Sequence, residues 1–136
     1  MKAARIPPSP AVSLVDFYKE IIPTLAALSD FEVTAGLNLP SNWTPKSPPR
    51  IGVFDDGGPT SWPVAVKPRL RITVWSDGQA KSRTIAGLCM GLALAHHVPG
   101  ISHVKDPSSI LDARDSKNAG LMASFTVQVT ARTLPL

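Results

Sequence analysis

The pattern of apolar and polar positions changes period once between Arg69 and His97, and the rest of the chain is organised around that change. Leu70, Ile72 and Val74 alternate with Arg69, Arg71, Thr73 and Trp75. Period two is the pattern of a strand with one buried face, and Val, Ile, Thr and Trp suit a pleated, half-buried surface. The spacing then becomes helical. Ile85, Leu88, Cys89 and Leu92 form one stripe, which Ala95 and His96 extend. Ser76, with Gln79 three residues on, predicts a capping box at the start of this helix, with Asp77 as the alternative cap. Pro99-Gly100 predicts its end. Gly87 and Gly91 fall inside it, and each costs roughly 1 kcal/mol against alanine. Their presence predicts close approach of a sheet or of another subunit.

Upstream, Ser13 followed by Asp16 predicts a helix start. Leu14, Phe17, Ile21, Leu25 and Leu28 share one face of that helix. Pro23 predicts a kink, or two short helices meeting near Ile22. Phe31, Val33, Ala35 and Leu37 alternate, which predicts a strand over Phe31–Leu39. Pro40–Pro49 reads as an extended loop, with Trp43 as its candidate anchor. A short strand over Arg50–Phe54, a turn at Asp55–Pro59 and a strand from Trp62 to Val66 follow. Pro68 marks a bulge or an edge.

Beyond the long helix, Ile101–Lys105 and Ile110–Ala113 read as strands around a break at Asp106–Ser109. Arg114–Asn118 is a charged turn. Leu121, Ala123, Phe125, Val127, Val129 and Ala131 then alternate with Met122, Ser124, Thr126, Gln128 and Thr130, the clearest period-two run in the chain. The order predicts an α+β fold: an antiparallel-rich sheet with helices packed on one face. A chain of 136 residues fits one domain, over residues 13–136. A proline-rich arm over residues 1–12 precedes it, either flexible or packed as a strap.

Composition narrows the function classes. The hydrophobic fraction of 43% supports a real core, and the net charge of +4 is compatible with a nucleic-acid neighbour without demanding one. The single cysteine, Cys89, sits on the apolar stripe and excludes an intrachain disulfide. No leader-like apolar stretch opens the sequence, and the run Ile85–Ala95 is too short to cross a bilayer, which takes roughly 20 residues. The expectation is a soluble protein made in a cytoplasm.

Candidate chemistry is sparse. His96 and His97 are neighbours on a helix and diverge by about 100°, and His103 adds no ligand spacing, so no metal site is expected. Asp55 and Asp56 read as turn residues beside Gly57-Gly58 rather than as an acid–base pair. No nucleophile, phosphate-loop or dinucleotide motif is present, so neither a cofactor nor an enzyme activity is expected. Lys67, Arg69 and Arg71 share one strand face and form a candidate phosphate- or DNA-facing patch, although a solvated sheet face has the same pattern.

Three segments resemble the tail terminator family of long-tailed, siphovirus-type bacteriophages, particularly those of actinobacteria. They are IGVFDDGGPTSWPVAVKPRLRITVWSDG, QAKSRTIAGLCMGLALAHHVPGISHV and LMASFTVQVTAR, within a similarity running from Phe31 to Arg132. The resemblance implies a hexameric ring at the tail–neck junction of the virion. Such a ring caps the tail tube, stops its polymerisation and presents it to the head-completion proteins. DNA passes through it without sequence-specific binding. A stopper or adaptor of the same neck, or a basic nucleic-acid-binding module, are the alternatives. The Pro40–Pro49 loop and the charged turn are expected to contact a neighbouring subunit or the tube, through Trp43, Lys46, Arg114, Asp115 and Lys117.

Overall fold

The clearest alternating run becomes the longest strand and the middle of the sheet. The computed structural model of the protein describes residues 4–29 and 32–136; Phe31 and the side chain of Leu28 lie outside the described residues. In chain order the elements are β1 (Arg5–Ile6), α1 (Pro10–Ser29), β2 (Thr34–Gly36), β3 (Arg50–Asp55), β4 (Thr60–Ser61) and β5 (Ala65–Val66). They continue with β6 (Arg69–Ser76), α2 (Gln79–Ala95), β7 (His103–Lys105), β8 (Leu111–Arg114), β9 (Leu121–Arg132) and β10 (Leu134–Pro135).

β9 is paired along both sides. β6 runs antiparallel to it, with Leu70 opposite Val127, Ile72 opposite Phe125 and Val74 opposite Ala123. Past the end of β6, β5 takes over that side at Ala131 and Arg132. β8 and β7 share the other side, interrupted where Asp106 adopts a positive φ of 52°. β3 flanks β6 in antiparallel register, and β2 flanks β3 in parallel. The fold is therefore α+β with a mixed, mainly antiparallel sheet.

Period two explains which face is covered. Ile51, Val53, Leu70, Ile72, Val74, Phe125 and Val127 point to one side and are all buried there beneath both helices. The helices also touch each other, and the Tyr18 hydroxyl donates to the Cys89 carbonyl at 3.1 Å.

Several expectations about the helices are corrected. α1 begins at Pro10, not near Ser13. The Ser9 carbonyl accepts from the Ser13 N–H at 3.1 Å, and a proline in the first helical position has no N–H to lose. α1 then runs unbroken through Pro23 instead of splitting in two. The proline is exposed, and Tyr18 and Leu25 on either side of it are fully buried. Packing on both sides offsets the roughly 3 kcal/mol that an interior proline costs.

The capping box of α2 does not form. Gly78 holds the cap position with no side-chain cap. The Ser76 hydroxyl instead pairs with that of Ser82 at 2.6 Å, and Gln79 Nε2 donates to the Met122 carbonyl at 2.8 Å. Both candidate capping side chains tie the helix to the sheet. The buried stripe is also turned from the expected one. Ser82, Ile85, Ala86, Cys89 and Ala93 are buried, Leu88 and Leu92 are half-buried, and Ala95 and His96 are exposed. Gly87 and Gly91 do not mark contact with the sheet. A methyl group at Gly91 would meet nothing within 4 Å, and one at Gly87 would meet only Ile110 Cδ1 at 4.0 Å.

The described part of the proline-rich arm is an exposed two-stranded ribbon that leads into α1 at Pro10. Arg5 and Ile6 pair with Pro135 and Leu134. The strand expected over Phe31–Leu39 is confined to Thr34–Gly36. The strand expected from Trp62 is a tight hairpin, β4 and β5 joined by Trp62-Pro63-Val64, with a cis bond between Trp62 and Pro63.

Candidate interaction surfaces

The helix-free face of the sheet carries the polar half of β6. The Thr73 and Ser124 hydroxyls pair across strands at 2.7 Å. Arg69 donates to Thr126 Oγ1 at 3.0 Å and to the Asp106 carbonyl at 2.7 Å. Arg71 forms an ion pair with Asp56 at 3.5 Å and lies 4.8 Å from the Phe54 ring centre. Arg69 and Arg71 thus share the face the sequence predicts, but both guanidinium groups already have partners. Lys67 lies before β6 and is half-buried. Asp55 acts as a turn residue, its Oδ1 accepting from the Gly57 N–H at 2.7 Å.

Of the two segments expected to contact partners, the loop turns its tryptophan inward, onto Gly120 just beyond the charged turn. Trp43 is only 6% exposed, and its indole N–H donates to the Pro48 carbonyl at 3.0 Å. Its ring lies over Gly120, where an added Cβ would come within 2.7 Å of Cζ3. Trp43 is therefore the anchor of its own loop, and its expected role as an anchor on a neighbour is corrected. The charged turn is equally built in. Asp115 Oδ1 accepts from the Lys117 N–H at 2.8 Å, and Asp115 Oδ2 from the Trp75 indole at 3.2 Å. Lys46, Arg114 and Lys117 are exposed and Asp115 is half-buried.

Between the loop and the turn lies an open groove of about 490 Å³. Leu39, Pro40, Phe54, Trp75, Asp115 and Lys117 are among its lining residues. Phe54 and Trp75 meet edge to face, with centroids 6.1 Å apart.

The other end of the sheet holds a surface that the sequence reading missed. Trp62 and Val64, at the hairpin tip, are 52% and 67% exposed, and Ile6, Leu134 and Leu136 are exposed beside them. Thr133 braces this corner: its N–H donates to the Val64 carbonyl at 3.0 Å and its hydroxyl to the Pro63 carbonyl. Arg5 Nε donates to the Thr133 hydroxyl at 3.1 Å. The available signal was the pair of apolar, proline-bearing stretches Trp62-Pro63-Val64 and Leu134-Pro135-Leu136, since proline in a sheet is confined to edges and bulges.

His96, His97 and His103 line one small hollow of about 160 Å³. Among the described residues no group of three or more His, Cys, Asp or Glu is placed to hold a metal ion, and no helix is long and apolar enough to cross a membrane. Cys89 is fully buried, and burial pushes its thiol up, away from the reactive thiolate. No family model matches the sequence, and a search of curated proteins finds no match.

Proposed function

We propose that this protein is a structural subunit of a long-tailed phage particle, a tail terminator. Its copies form a ring that caps the tail tube, stops polymerisation and joins the tail to the neck. The observation that supports this reading is where the three resembling segments lie. They form β3 through β6, α2, most of β7 and β9, and so include the central strands β6 and β9 with the helix packed on them. The apolar corner, where Trp62 and Val64 are exposed on a braced turn, is a surface on which a neighbouring copy could dock. The role is structural rather than catalytic. The nucleic-acid-binding alternative is the weaker one, since Arg69 and Arg71 already have partners in the chain.

The test is electron microscopy of the purified protein with polymerising tail-tube protein. Rings on the tube ends and tubes of arrested length are expected. A monomer that leaves tube growth unchanged overturns the reading. A steep salt dependence of duplex DNA binding, the mark of phosphate contacts, would favour the nucleic-acid module instead.

A further inference from the structure

We infer that the Trp62–Val64 hairpin tip of one copy docks in the groove between Pro40 and Lys117 of a second copy. This contact rests on the ring-forming reading above and gives it a residue-level interface.

The first observation is a mismatch on each surface. The tip presents an indole and a valine to solvent on a braced turn. The Trp62 indole N–H has no partner among the described residues. The groove has the converse character: an aromatic floor of Phe54 and Trp75, a proline wall, and one carboxylate. Asp115 uses two acceptor positions within its own chain, and a carboxylate offers about four. An indole entering the groove would meet ring edges for stacking and a carboxylate for its N–H.

The second observation is placement. Trp75, on the groove floor, lies opposite Met122, whereas Ala65, beside the tip, lies opposite Arg132. The two surfaces sit at opposite ends of β9, roughly 33 Å apart at the usual rise per strand residue. A tip therefore cannot fill its own groove. Joining the tip of one copy to the groove of the next is a heterologous contact, which closes into a ring when the rotation allows.

The third observation is exposure. Five large apolar side chains, Ile6, Trp62, Val64, Leu134 and Leu136, are bared around this corner. A standard interface takes about 800 Å² per partner. The corner can supply the apolar centre and the groove rim the polar border.

Two exposed positions allow a complementation test. Trp62→Glu spoils the tip, and Ser41→Arg, at the exposed groove mouth, blocks the groove. Each variant is first checked for an unchanged unfolding midpoint, and Trp62→Ala repeats the tip test with a milder change. By analytical ultracentrifugation the wild type should associate, and each variant alone should need a roughly tenfold or higher concentration to do so. Mixed one to one, the variants have one good tip and one good groove between them, so association should resume and stop at two copies. A mixture that stays monomeric, or a Trp62→Glu protein that assembles like wild type, overturns the inference. So does a monomeric wild type whose tip binds only tube protein. Rings that need Trp62 but do not arrest tube growth leave this contact standing and remove the terminator role. Rings that arrest tubes equally well without Trp62 do the reverse.

Discussion

Tyr18 and Cys89 show how much a single buried group can report. Each is the only residue of its kind in the chain, and the two meet where α1 crosses α2. Burial raises both acids: Tyr18 well above its ordinary value of 10.0, with the neighbouring thiol adding to it, and Cys89 above 9.0. The unfolded chain releases these protons near the ordinary values while the folded chain keeps them. Above about pH 9 the folded state therefore binds more protons, and stability must fall as pH rises. Urea midpoints measured from neutral to alkaline pH should show that decline, and Tyr18→Phe should make it shallower. The same variant should lose about 0.5–1.5 kcal/mol at neutral pH for the missing hydrogen bond. Phenolate absorbance should appear only with unfolding. A Tyr18 titration near pH 10 in the folded protein would show that the helix crossing is open to water.

At the scale of elements, the rotation of α2 is the informative feature. Ile85 is fully buried, while Leu88 is half-buried at the margin of the core. Ile85→Ala should cost about 2–5 kcal/mol and Leu88→Ala distinctly less. Gly91→Ala should stabilise by about 0.5–1 kcal/mol, since the methyl meets open space. Thermal unfolding of the three variants checks the order, and a larger loss for Leu88 would mean the stripe is misassigned. The strands β6 and β9 were legible because alternation alone selects the buried face. The helix face was not. Hydrophobicity ranks Leu88 and Leu92 above Ala86 and Ala93, but the seam against the sheet accepts the small side chains. Trp43 was unreadable for a related reason, since its partner Gly120 lies far along the chain.

At the scale of the molecule, the sheet converges on β9, which pairs with β5, β6, β7 and β8. A chain stopped after Asn118 should retain no cooperative unfolding transition. One lacking only Leu134–Leu136 should keep a cooperative but weaker one, because it loses just the ribbon with β1. Circular dichroism during urea unfolding separates the two, and cooperative unfolding of the shorter chain would relocate the centre of stability. The order of elements also bears on biosynthesis. Translation delivers β9 after both helices and after every strand it joins. Until it leaves the ribosome, β6 holds Leu70, Ile72 and Val74 on a strand with one bare edge, open to the wrong partner. Nascent chains on neighbouring ribosomes expose that edge together. Slower translation through residues 106–118 would lengthen the exposure and favour aggregation before folding is complete.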